Sequence, residues 1–168
     1  MQYELKAGGI RIRPFTPEDA PGVVSVERRA FAASRWTETD YRRLAQQEGS
    51  IILVGADRAG RPGGIAGFIA LRQLFDEAEI LNLAVEPACQ RRGVARALIE
   101  AVLIKLQEGK VRTAYLEVRP SNHAAIRLYF SVGFIVDSVR KGYYSGPRED
   151  AYVFRLSIPP ARREIAAG

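Results

Sequence analysis

Apolar and basic residues alternate through residues 10–15, Ile-Arg-Ile-Arg-Pro-Phe, which predicts a strand with one face turned inward. Thr16-Pro17-Glu18-Asp19 then reads as a helix start. A hydroxyl stands at the cap, proline at the first helical position, and acids in the first turn, where they meet the positive end of the aligned peptide dipoles. A helix is expected over about residues 17–32, and a second from Thr37 or Thr39 to about Gln47. Residues 50–56 and 64–71 are apolar runs joined by a turn segment holding Asp57, Gly60, Pro62 and Gly63, so they read as a hairpin. Residues 79–85 form another strand, which ends before Pro87. From Arg92 to about Glu108, Val94, Leu98, Ile99, Val102 and Leu106 recur at helical spacing, and Gly109 suits the end of that helix. Residues 113–118 predict a buried strand, residues 122–132 a helix closed by Gly133, and residues 134–139 and 151–158 the last two strands. Strands with helices interspersed, and no repeat or linker, predict one α/β domain over residues 1–168, with a mixed central β-sheet flanked by helices. Residues 1–9 are read as an N-terminal extension and residues 159–168 as a frayed tail.

The 168 residues are 47% hydrophobic, enough for a substantial core. No apolar run approaches the roughly 18 residues that span a bilayer. The start, Met1-Gln2-Tyr3-Glu4-Leu5, lacks the basic-then-apolar order of a secretory signal, so a soluble cytoplasmic protein is expected. A single cysteine, Cys89, rules out an intrachain disulfide and a cysteine cluster, and a single histidine, His123, argues against a histidine site, so no metal is expected. The net charge of +6 favours anionic partners. The arginines are nevertheless spread along the chain without a basic run interleaved with aromatics, and direct nucleic-acid binding is not expected. Nothing here separates a monomer from a homodimer.

The densest chemical signal runs from Leu81 to Ala95, where a strand ends, a short loop turns and a helix starts at a glycine. Such a helix start presents unpaired N–H groups and partial positive charge, and so stabilises a phosphate. Gly93 lets the backbone approach a ligand, Ala95 is small, and Arg91, Arg92 and Arg96 add charge. An ordinary strand–turn–helix would carry the same glycine, and by side chain alone Leu83, Ala84 and Val85 read as core. The loop has neither a Gly-Lys-Ser/Thr ending nor a Gly-x-Gly-x-x-Gly spacing. It resembles the Gln/Arg-x-x-Gly-x-Gly/Ala loop of the Gcn5-related N-acetyltransferases. The resemblance implies that Gln90, Arg91, Arg92, Gly93, Val94, Ala95 and Arg96 hold the pyrophosphate of acetyl-coenzyme A (acetyl-CoA). It also implies a fold in which the preceding strand bulges and splays from its neighbour, so that the backbone of Leu83, Ala84 and Val85 pairs with the pantetheine arm.

A second signal spans Leu116 to Phe134. Glu117 lies inside the apolar strand Ala-Tyr-Leu-Glu-Val. Carboxylates are seldom buried in such a strand, and desolvation suits a carboxyl group to accept a proton near neutral pH. The alternative is a half-exposed glutamate paired with an arginine such as Arg119. Leu-Glu-Val-Arg-x-Ser-Asn, Ala-Ile-x-Leu-Tyr and Gly-Phe follow in order, with Arg140-Lys141-Gly142-Tyr143-Tyr144 and Glu149-Asp150-Ala151 beyond. Together they closely resemble the ribosomal-protein-alanine N-acetyltransferase (RimI-like) branch. The match is good over about residues 79–156; before that only the order of elements agrees, and the N-terminal extension and Pro120 depart from the pattern. It implies Glu117 as general base, Tyr129 as general acid, Asn122 as a coenzyme-binding residue, and Tyr143 and Tyr144 along an acceptor groove. By residue type alone Asn122 is also a helix cap, Tyr129 a core aromatic, and the tyrosine pair a strand end. His123 reads as a surface imidazole, and Cys89 as a small turn residue with no histidine beside it to activate the thiol.

The resemblance therefore implies transfer of acetyl from acetyl-CoA to a primary amine by direct attack in a ternary complex, with a protein amino terminus, and a ribosomal protein in particular, as the candidate acceptor. An α-amine titrates at about 7.7–8.0 and a lysine at about 10.4, so near neutral pH far more α-amines are free to attack. A small-molecule amine or a protein lysine is the alternative acceptor, since the same coenzyme loop would serve. A non-catalytic acetyl-CoA sensor is a further alternative, against which the joint presence of Glu117 and Tyr129 argues.

Overall fold

A computed structural model of the protein describes residues 9–30, 36–57 and 64–160. The expected extension and tail, the turn over residues 57–63 and the end of the first helix fall largely outside them. Seven strands form one sheet: β1 Ile10–Pro14, β2 Ser50–Asp57, β3 Ile65–Leu74, β4 Glu77–Val85, β5 Thr113–Val118, β6 Ile135–Ser145 and β7 Arg148–Ser157. Their order is β1-β2-β3-β4-β5-β7-β6, and β4–β5 is the parallel pair in an otherwise antiparallel ladder. This is the mixed sheet flanked by helices that the sequence predicts.

Helices α1 Ala20–Ala30 and α2 Glu38–Gln46 cover one face, and α3 Val94–Glu108 and α4 His123–Ser131 the other. Val23 and Val26 of α1 and Tyr41 and Leu44 of α2 pack on Ile52, Val54 and Phe68. The predicted stripe of α3, from Val94 to Leu106, is buried against Ile12, Leu53, Ile69 and Leu71, and Tyr129 of α4 joins the same cluster with Phe134 and Phe154. Each fully buried aliphatic or aromatic side chain stabilises the fold by about 2 kcal/mol relative to exposure. Thr16 opens the first helical segment as expected: the Asp19 carboxylate accepts from its N–H at 2.8 Å and is held by Arg13 through two bonds of 2.7 Å.

Several boundaries differ from the sequence reading, each for a local reason. Residues 17–19 form a 3-10 turn ahead of α1. The helix expected from Arg92 starts at Val94, because Arg91 (φ 59°) and Gly93 (φ 81°) are left-handed. At its other end Lys110, not Gly109, takes the left-handed conformation. The β3–β4 hairpin runs on to Leu74 and Glu77, with Phe75 left-handed in the turn. Strand β6 extends to Ser145 rather than stopping at residue 139. It is the sheet edge and is exposed along nearly its whole length, so no apolar alternation marks it.

Two features of β4 position everything that follows. Asn82 pairs with Ala70 and Ile80 with Leu71, so Leu81 is an extra residue, a β-bulge. Pairing of β4 with β5 stops at Ile80 and Leu116, although β4 continues to Val85 and β5 to Val118. Beyond that point the strands splay.

Candidate active site

The splay opens a cleft of about 1110 Å3 that passes between the strands, lined from both faces of the sheet. The loop and helix α3 contribute Gln90, Arg91, Gly93, Val94, Ala95 and Arg96; α4 contributes Asn122 at its cap and Tyr129; α1 contributes Glu27 and Ala30. Leu83, Ala84 and Val85 line it from β4 and Glu117 from β5. Of the residues singled out in the sequence for coenzyme binding or catalysis, Arg92 alone is absent from the lining.

The start of α3 has no side-chain cap and no acid in its first turn. Its leading N–H groups follow two left-handed residues, a concave arrangement of donors suited to an anion. Gly93 is required by conformation rather than space, since a β-carbon there would meet nothing within 4 Å. The loop side chains mostly brace the protein. Gln90 Nε2 donates to the Val85 carbonyl at 3.3 Å, and Arg96 reaches Glu100 and the Ser131 carbonyl, each at 3.3 Å. Closeness is set from below by Gly67, whose added β-carbon would lie 2.9 Å from the Ala84 carbonyl oxygen and 3.2 Å from Val94. Asn122 caps α4 by accepting from Ala125 N–H at 3.1 Å.

Glu117 is ion-paired, but its partner is not Arg119. Arg140 Nη1 lies 2.6 Å from its Oε1, and the glutamate side chain is 16% exposed. Tyr143 also donates a hydrogen bond to it, which, followed by burial, pushes the Tyr143 hydroxyl up to about 12. Arg119 turns to Glu149 at 3.4 Å and stacks 4.0 Å over the Tyr144 ring. Glu149 accepts from Ser121 N–H and Oγ at 2.7 and 2.9 Å, tying the β6–β7 hairpin to the loop after β5. Arg140 pairs with Ala151 and Tyr144 with Glu149, so Lys141, Gly142 and Tyr143 oppose Asp150 alone and form a wide bulge. Asp150 staples it through Gly142 N–H at 2.8 Å and Lys141 Nζ at 2.9 Å. The motif around residues 140–150 is thus a built corner that brings Arg140 and Tyr143 over Glu117, while Tyr144 lines the cleft. Tyr129 is buried, with Phe134 and Phe154 ring centroids at 5.7 and 6.0 Å. Burial, and then the nearby Tyr144, push its hydroxyl well above the ordinary tyrosine range, so it keeps its proton at neutral pH.

Residues 20–134 match the Acetyltransferase (GNAT) family. The chain belongs to that family. Over 142 residues it is 38% identical to the [ribosomal protein bS18]-alanine N-acetyltransferase of Escherichia coli, covering 83% of this chain and 92% of that one. The crystal structure of the ribosomal-protein-S18-alanine N-acetyltransferase from Escherichia coli superposes with a TM-score of 0.78 at 35% identity, covering 92% of this chain and 97% of that one. Arabidopsis thaliana NAA60, solved in complex with acetyl-CoA, matches with a TM-score of 0.77 at 26% identity, over 89% of this chain and 98% of that one. This GNAT protein is an acetyl-CoA-dependent N-acetyltransferase. Its splayed strands and capless helix start fit a ligand that carries both amides and phosphates. Among the described residues no helix is long and apolar enough to cross a membrane, and no cluster of three or more His, Cys, Asp or Glu is placed to hold a metal ion.

One group in the acetyltransferase cleft is missed by motif reading. Glu27 of α1 is 2% exposed and bonds Tyr41 of α2 and Asn82 of β4. Helical spacing carries the signal, since Glu27 stands four residues after Val23 and three after Val24 and so falls on the buried face. His123 is exposed, and Cys89 is half-buried in the turn and touches the cleft.

Proposed function

We propose that this enzyme acetylates the amino-terminal α-amine of a protein in the cytoplasm, the amino-terminal alanine of a small-subunit ribosomal protein being the substrate class. The observation that carries the reading is the corner at Glu117. Arg140 and Tyr143 aim its carboxylate, and they come from the segment that matches the ribosomal-protein-alanine branch in sequence.

Acetyl-CoA supplies the acetyl group as an activated thioester. The backbone of Leu83, Ala84 and Val85, left unpaired on the β5 side, would hold its amide arm. The N–H groups from Gly93 to Arg96, with Gln90, Arg91 and Arg92 beside them, would hold its phosphates. Asn122 uses its side-chain oxygen as a cap, which leaves its amide NH2 for the ligand. Glu117 takes the proton of the incoming ammonium, and Tyr129, kept protonated by burial, returns one to the departing sulfur. No side chain need become covalently modified.

The test is thiol release from acetyl-CoA with a panel of ribosomal amino-terminal peptides, lysine peptides and polyamines. Amino-terminal peptides should be preferred, and Glu117→Gln should lower kcat by about 10²–10⁴-fold while acetyl-CoA still binds. A preference for lysine peptides or polyamines overturns the acceptor assignment, and undiminished turnover in Glu117→Gln overturns the base.

A further inference from the structure

Two acidic side chains are buried among the described residues, Asp19 and Glu27. Asp19 has its cation, the Arg13 guanidinium. Glu27 has none. Its Oε2 accepts from the Tyr41 hydroxyl at 2.7 Å and its Oε1 from Asn82 Nδ2 at 2.5 Å, while Asn82 also reaches the Tyr41 oxygen at 2.9 Å. Both oxygens act as acceptors, the pattern of a carboxylate, and both donors are neutral. The next arginine along that is paired, Arg29, turns outward to Glu86 at 2.6 Å. A buried negative charge without a cation costs several kcal/mol. The two donors account for both acceptor oxygens, which glutamine could not supply, but they do not account for the missing cation.

The placement does. Glu27 and Asn82 both line the cleft, and Asn82 adjoins the bulged Leu81 where β4 leaves β5. The other carboxylate of the cleft, Glu117, is already matched by Arg140. We propose that Glu27 is the ammonium-binding residue of the acceptor site: it receives the charged amine on the α1 side of the sheet and holds it for deprotonation at Glu117. The inference rests on the acceptor being a primary ammonium, whether of an amino terminus or of a lysine.

The experiment compares wild type, Glu27→Gln and Tyr41→Phe, using the acceptor that the panel above shows to be best, with acetyl-CoA affinity read by calorimetry. Glu27→Gln keeps the size and removes the charge together with one acceptor; Tyr41→Phe removes one donor from the network and keeps the charge. The acceptor KM should rise about tenfold or more in Glu27→Gln, with kcat and the acetyl-CoA Kd moving by no more than about threefold. In Tyr41→Phe the acceptor KM should stay within about threefold of wild type. An unchanged acceptor KM in Glu27→Gln overturns the inference. So does a parallel loss of acceptor and coenzyme affinity in both variants, which would mark a purely structural network. Should Glu27→Gln not fold, Glu27→Asp, which withdraws the charge by one methylene, should raise the same KM, and no change there overturns the proposal. A wild-type preference for lysine peptides would fell the amino-terminal reading alone, because the effect of Glu27 would then be read on those peptides.

Discussion

Arg140 on β6 reaches across β7 to place its guanidinium 2.6 Å from the carboxylate of Glu117 on β5. One strand, β7, separates the partners, and the bulge at Lys141–Tyr143, stapled by Asp150, sits directly beside the contact. Arg140 also lies 5.6 Å from the centroid of the Tyr143 ring, so it touches the other neighbour of Glu117 as well.

Removing Arg140 should therefore act on the chemical step. Arg140→Ala is expected to lower kcat by about tenfold to a hundredfold, the scale of misplacing a reacting group by a fraction of an ångström to one ångström. The acetyl-CoA Kd should hold, because no coenzyme contact is assigned to Arg140. Steady-state kinetics with calorimetry check this, and an equal fall in coenzyme affinity would refute it.

Gly67 offers a different lever. An added methyl would sit 2.9 Å from the Ala84 carbonyl, a backbone atom that cannot rotate away. Gly67→Ala should cost about 1–3 kcal/mol and shift β4 where Ala84 and Val85 line the cleft. Thermal melts should show the loss, and acetyl-CoA affinity should fall with it. Gly93→Ala makes the contrast: its methyl meets open space, and the cost of about 1 kcal/mol comes from the left-handed backbone alone.

Asp19 gives a dependence on pH. Burial pushes its carboxyl up, but the Arg13 and Thr16 hydrogen bonds outweigh that and hold it below the usual aspartate range. A carboxyl lowered on folding stabilises the protein above its unfolded value, about 3.9, and that contribution disappears as pH falls through the folded value. Asp19→Asn should lower the Tm clearly at pH 7 and much less near pH 2. A difference that stays constant across that range would contradict the assignment.

The parts legible in the sequence are those whose physics is local. The α3 stripe from Val94 to Leu106 repeats with the helix, and Thr16 with Asp19 spells a cap within four residues. The glycine at the start of α3 and the glutamate in an apolar strand both stand on the cleft they imply. What stayed hidden depends on pairing between distant strands. Arg119, next but one to Glu117, looked like its partner, yet it stands just past the end of β5, and the hairpin offers Glu149 to Arg119 and Arg140 to Glu117. The length of β6 was invisible because an edge strand exposed on both sides carries no apolar rhythm. Helical spacing puts Glu27 on the buried face of α1, but its partners Tyr41 and Asn82 arrive from two other elements and no local motif links the three.

Four residue pairs, from Glu77 with Thr113 to Ile80 with Leu116, stitch β4 to β5. Mechanically the sheet is two ribbons sharing a short seam, one carrying α1 and α2, the other the β6–β7 corner and Glu117. A ligand that supplies the missing rungs above the seam would act as a splint. Saturation with acetyl-CoA at a hundred times its Kd should then add about 2.7 kcal/mol to global stability, and hydrogen exchange should slow most where the ribbons part, at Leu83 to Val85 and at Glu117 and Val118.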